Sequence, residues 1–251
     1  MSETVAAIRA EFTKLRGIRS TFVALLLFVP VSVLIAALGG WSAKGAIESD
    51  SPALRSDFTA EQAGLDGILY GQLALIVFGV LIVSSEYASG MMRVSLLAVP
   101  RRGRLYTAKM TVTALAAAAV AVPVIVVSYL VTQIALGSHG ASIDASGVPR
   151  ALAGAVVYLM LMSLFAAGVA AMARSAVLPL AVLLPMVLAG TQILSVIGAT
   201  KEVARYFPDQ AGMRMLTVDS PHDAYGGFAV LLVWTVVALA AGYLRHRRWD
   251  G

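Results

Sequence analysis

The densest grouping of chemistry-bearing residues lies in 84–109, which reads SSEYASGMMRVSLLAVPRRGRLYTAK. Glu86 and Tyr87 open it, Gly90 and Arg93 follow, Leu97 sits in an apolar run, and Arg101, Arg102, Arg104 and Lys109 close it. Tyr87, Met91, Val94 and Ala98 share one helical face, while Pro100 and Gly103 end the helix in a basic turn. The pattern predicts a short amphipathic helix and then an arginine-rich turn. A helix of this kind fits a groove on another protein, and arginines in such a turn suit anionic lipid headgroups. Glu86 reads either as an interfacial carboxylate that ends an apolar run or as the partner of Arg93 or another nearby arginine. Seven residues separate Glu86 from Arg93, roughly 10 Å along a straight helix. A direct bridge therefore needs a bend, and Gly90 is the expected place for it.

Other chemistry is missing. None of Lys14, Lys44, Lys109 or Lys201 follows a glycine, as the lysine of a nucleotide-binding loop would. His139, His222 and His246 lie outside the apolar runs, so no haem or metal pair is expected within them. With no cysteine in the chain, disulfides, thiolate metal sites and a cysteine nucleophile are excluded. No Ser-His or paired-carboxylate arrangement falls at a depth suited to intramembrane proteolysis. Neither a cofactor nor a metal is expected, and the chain is not expected to be an enzyme.

The elements that position these residues are apolar runs. Only 13% of residues are charged, about half the usual share for a soluble domain, which fits a surface facing lipid. Six runs are long enough for a hydrocarbon core of about 30 Å: residues 20–40, 67–84, 111–136, 151–173, 176–198 and 226–244. Pro123 is a plausible kink point in the third. No Asp, Glu, Lys, Arg or His stands near the middle of any run, so no ion-coupled pathway of the usual type is expected. The fold class expected is all-α, a single transmembrane domain over 1–251 with no separate soluble domain.

Basic residues set the orientation. Thirteen of the nineteen fall on the face that holds both termini, the 84–109 segment and the Arg174 turn. The opposite face holds Lys44, Arg55, Arg150, Lys201, Arg205 and Arg214. Both termini are therefore expected in the cytoplasm. The first run exceeds the apolar stretch of a usual signal peptide, so an uncleaved helix is expected.

In residues 3–19, Val5, Ile8, Phe12 and Leu15 recur at helical spacing. This reads as an amphipathic helix in the inner interface, against the plainer alternative of a solvated basic leader. The fourth and fifth runs are joined only by residues 174–175, so they must be antiparallel neighbours. Ser163, Ala167 and Ala171 form a small-residue ridge for close packing. Segment 199–225 carries Val203, Tyr206, Phe207, Met213, Met215 and Leu216, and reads as short helices on the outer interface around Pro208 and Gly212. Segment 41–66 is polar, acidic and partly helical, and 137–149 is a turn-rich connector.

The run Glu86-Tyr87-Ala88-Ser89-Gly90-Met91-Met92-Arg93, then Leu96-Leu97-Ala98-Val99-Pro100-Arg101-Arg102, then Lys109 at the next span, resembles the first cytoplasmic loop of ATP-binding-cassette type 2 permeases. Met91 stands where threonine is usual. The tight Arg174-Ser175 turn and the stretch Tyr206-Phe207-Pro208-Asp209-Gln210-Ala211-Gly212 are also similar to that family. The resemblance implies two six-span subunits, as a homodimer or paired with a second permease, above two cytosolic ATPase subunits. It implies that residues 86–99 form a coupling helix, with Glu86, Tyr87, Gly90, Arg93 and Leu97 at the ATPase contact, and that the N-terminal helix is an interfacial connector. It implies export of an amphipathic substrate (drug, peptide or lipid-like) across the cell membrane, with no nucleic acid involved. The competing reading is a six-span substrate-binding or regulatory subunit without an ATPase partner.

Overall fold

The structure, a computed structural model, describes residues 3–17, 19–52, 57–98 and 101–247. Arg55, Val99, Pro100 and Arg248 lie outside the described residues, as do the side chains of Arg16, Arg93, Leu96 and Ala98. Every regular element among the described residues is helical, and six helices are long and apolar enough to cross a membrane.

Helix α1 (Glu3–Gly17) precedes α2 (Arg19–Glu48), the first span. Helix α2 runs on well past the apolar stretch into the segment expected to be an outer loop. Helix α3 (Ala60–Asp66) follows, its Thr59 hydroxyl accepting from the Gln62 N–H as an N-cap. Helix α4 (Ile68–Ala88) is the second span. Gly90, at φ +72°, then turns the chain through the left-handed region, which costs glycine little. The bend expected at this residue is present, so the short helix that follows is a separate element, α5 (Met91–Ala98).

Helix α6 (Arg102–Leu136) is the third span and begins inside the supposed basic turn. Gly103 is therefore the second residue of a helix instead of a helix stop. Helix α7 (Val148–Ala173) is the fourth span, and Arg174 closes it at φ +54°. The fifth span is interrupted. Helix α8 (Val177–Pro185) gives way to a π turn over Met186–Gly190, and the span resumes as α9 (Thr191–Val196). Such wide turns in helices recur at functional places. Segment 199–225 folds as expected into short helices, α10 (Lys201–Ala204) and α11 (Pro208–Met213), and a 3₁₀ turn at Arg214–Leu216. Helix α12 (Pro221–Arg247) is the last span.

Helix α7 is the hub. It packs on α4, α6 and α12, while α2 packs on α4 and α6. Span four is the most buried of the six, and the first, fifth and sixth show most of their surface outward. The small-residue ridge is where it was expected, with Ser163, Ala167 and Ala171 all buried. Gly79 of α4 lies so close to this ridge that an added Cβ would stand 2.2 Å from the Ser163 carbonyl oxygen. Close backbone approach of this type is how helices associate where lipid removes the hydrophobic drive.

Candidate functional site

The end of the bundle that carries α1, α5 and the C-terminal end of α12 holds a closed ring of charge. Glu11 comes from α1, Glu86 from the last turn of α4, Lys109 from α6, and Lys14 again from α1. The Lys14 ammonium lies 2.6 Å from Glu11 Oε1 and 3.0 Å from Glu86 Oε1. Lys109 lies 2.5 Å from Glu11 Oε2 and 2.9 Å from Glu86 Oε1. Two carboxylates and two ammoniums alternate, so the ring is formally neutral. Lys14 also donates to Ser95 Oγ of α5 at 2.8 Å, and Ser95 in turn donates to its own helix at the Met91 carbonyl. One network thereby binds α1, α4, α5 and α6.

Burial decides its importance. Glu86 is fully buried, and Glu11 and Lys109 nearly so. Ions taken out of water cost several kcal/mol each unless partners replace the lost hydration, and here every charge has two opposite neighbours. Burial alone would lower the pKa of Lys14, but the hydrogen bonds and charges of Glu11 and Glu86 outweigh it and hold the ammonium above the ordinary lysine value. The stability this raised pKa contributes is complete below the unfolded lysine value and is lost only as pH rises through the folded one. Lys14 therefore keeps its charge through neutral pH.

Two expectations are corrected here. Among the described residues Glu86 is paired with lysines from two other helices, while the side chain of Arg93, its expected partner, lies outside the described residues. The reason is geometric: Gly90 turns α5 away from the axis of α4, while α1 and α6 flank the end of α4. Lys109, grouped with the basic turn by sequence, is instead buried about two turns inside α6. Arg101 is exposed at the start of α6, and Arg102 donates to the Arg247 carbonyl at 2.7 Å. Arg104 lies on the first turn of α6.

The N-terminal helix also differs in detail. Val5 and Phe12 of the supposed apolar face are exposed, whereas Ala7, Glu11 and Leu15 face the protein. A carboxylate on the inward face and apolar residues on the outward face invert the pattern of a soluble helix. The visible signal was Glu11-x-x-Lys14 in an otherwise amphipathic stretch, an intrahelical pair whose outside partners lie 72 to 98 residues away.

Tyr87 does different work. Its hydroxyl lies 3.1 Å from His246 Nδ1 near the end of α12, and the Tyr106 ring packs against the same imidazole. Arg174 donates to the Arg245 carbonyl at 2.6 Å. Together with the Arg102 contact, these arginines satisfy carbonyls in the last turn of α12, where cations are favoured. The second, third, fourth and sixth spans are thus tied at one level.

Helix α5 presents two unlike faces. Met92 and Ser95 are buried toward the ring. Val94 and Leu97 point away, and Leu97 is 84% exposed. An isolated exposed leucine is ordinary, but here it stands on a short helix whose other side is fixed to α1, α4 and α6.

A family model described as ABC-2 family transporter protein matches residues 7–197, well over half the chain. The chain belongs to the ABC-2 transporter family. The matched stretch contains every member of the charge ring, α5, and five of the six spans, so this ABC-2 permease is a multi-pass membrane protein and a transport subunit. No curated protein matches the chain.

Proposed function

We propose that this ABC-2 permease exports an amphipathic drug-like, peptide or lipid-like substrate across the plasma membrane, using ATP hydrolysed by separate cytosolic subunits. Both termini and α5 face the cytoplasm in this reading. The observation that carries it is the division of α5 into a face locked to Lys14 through Ser95 and a face that presents Val94 and Leu97 outward. A rigid lever needs one anchored side and one free side. An ATPase pressing on Leu97 moves α5, and the ring passes that movement to α1, α4 and α6 together. Arg93 and Gly90 supply the coupling contact and the pivot. Arg101, Arg102 and Arg104 hold the segment at anionic headgroups. Two copies, or one copy with a related permease, enclose the pathway using the outward faces of the first and fifth spans. Aliphatic span interiors suit an amphipathic cargo.

Leu97→Asp tests the lever without touching the ring. The exposed position leaves folding unchanged, while binding of the ATPase subunit weakens about thirtyfold, the ratio of a ~2 kcal/mol hot spot. Co-purification from detergent, with the ATPase titrated, reads this directly. Arg93→Ala is expected to leave ATP hydrolysis running while transport stops. If both variants transport like wild type, the lever is wrong. If the wild-type permease is repeatedly isolated with no ATP-binding chain, a substrate-binding or regulatory subunit becomes the better reading.

A further inference from the structure

At the other end of the bundle one carboxyl has no cation. Asp209, on α11, is fully buried. Its Oδ2 is met by the Thr191 hydroxyl, in a very short contact, and by Gln210 Nε2 at 3.1 Å. Its Oδ1 is buried with no hydrogen-bond partner. Thr191 begins α9, immediately after the π turn, and its hydroxyl also lies 3.1 Å from the Met186 carbonyl. That carbonyl can only accept. The Met186 carbonyl already accepts from the Thr191 backbone N–H, so the hydroxyl is free to meet Asp209. What points to a proton on Asp209 is its complete burial with an orphaned Oδ1.

The surroundings agree. Tyr158 of α7, a helix on which α11 packs, is a phenol whose hydroxyl donates to Gln72 of α4. Arg214, on the following 3₁₀ turn, donates to the Arg205 carbonyl, and Arg150 of α7 donates to the Thr217 and Val218 carbonyls. The face of α12 that meets α11 does so through Gly227 and Leu231. Among the described residues no basic side chain pairs with Asp209. An unpaired carboxylate in such a place is unfavourable by many kcal/mol, and the group takes a proton instead. Burial raises the Asp209 carboxyl above its ordinary value, outweighing the donors at Thr191 and Gln210 that favour the anion.

We propose that Asp209 is a proton-binding site that latches α11 to the π turn of the fifth span, and that loss of the proton releases α11. Asp209 lies beyond the residues that match the family, although Thr191 and the π turn fall within them, and the proposal does not depend on the ATPase reading. It adds a proton as a ligand to a chain whose spans carry no Asp, Glu, Lys, Arg or His near their middles.

The test uses the full chain in lipid nanodiscs near neutral pH. Infrared difference spectra between unlabelled protein and protein labelled with ¹³C-aspartate are expected to show a protonated-carboxyl carbonyl band, which Asp209→Asn removes. A raised folded pKa contributes stability below the unfolded carboxyl value that is lost as pH rises through the folded one. Relative to Asp209→Asn, wild type should therefore lose about tenfold in its folded-to-unfolded ratio per pH unit across that window. Amide exchange over 205–216, normalised to the same variant, should rise over the same window. A purely ionised aspartate spectrum, parallel pH profiles for the two proteins, or failure of Asp209→Asn to fold at any pH would overturn the proposal. The spectrum of the wild-type protein decides the matter even without the variant.

Discussion

Glu86→Gln is expected to lower folding stability by about 3–5 kcal/mol, the usual cost of removing one partner from a buried ion pair. The carboxylate is wholly buried and faces two ammoniums, at 3.0 and 2.9 Å. Without it, Lys14 and Lys109 share Glu11 alone, and one buried positive charge is left over. A neutral amide of the same shape preserves packing, so the loss isolates charge. Adding Lys109→Met to Glu86→Gln removes the surplus ammonium, and the double variant should recover much of the deficit. Glu48→Gln is the control: its pairing with Lys44 at 3.8 Å is exposed, and such pairs contribute at most about 1 kcal/mol. Thermal unfolding midpoints in detergent compare the four proteins. A wild-type midpoint for Glu86→Gln would remove the ring from the account.

The second large effect is expected at the contact of α4 with the hub. Gly79→Leu places a side chain where even its first carbon meets the Ser163 carbonyl oxygen at 2.2 Å. The obstacle is backbone, which cannot swing aside as a side chain would, so α4 and α7 must separate. Overpacking of this kind costs about 1–3 kcal/mol and sometimes more. It also spreads to the ring, because Glu86 is carried two turns further along α4. Gly39→Leu is the matched control, since nothing lies within 4 Å of a Cβ there. Size-exclusion profiles and melting midpoints should separate the two variants. Equal behaviour would mean that the α4–α7 contact is not tight.

The spans were legible because lipid imposes a coarse rule: about 20 apolar residues in a row with little charge. The hub ridge was legible for a similar reason, since small residues at helical spacing have few other uses in a span. Span ends were less so. Helix α2 reaches Glu48 and α6 starts at Arg102, because a helix propagates into polar sequence when its backbone hydrogen bonds are already running. The charge ring was hidden because its members are far apart in the chain. Glu86 advertised itself at the end of an apolar run, but nothing local says that its cations come from α1 and α6. Asp209 was hidden differently. A rule that looks for charge within spans passes over a carboxyl brought against a span by a loop helix, and only the fold places Asp209 on Thr191.

Transport in this scheme depends on α5 being the place where an ATP-hydrolysing partner pushes. Because the chain has no cysteine, Leu97→Cys carries the sole thiol in the protein. A short thiol-reactive crosslinker applied to membranes is predicted to join this position to an ATP-binding polypeptide, while Val196→Cys at the other end of the bundle gives no such product. If Leu97→Cys forms no adduct with an ATP-binding chain, and instead reacts with an impermeant maleimide added outside intact cells, then α5 is on the wrong side of the membrane and cannot be the lever.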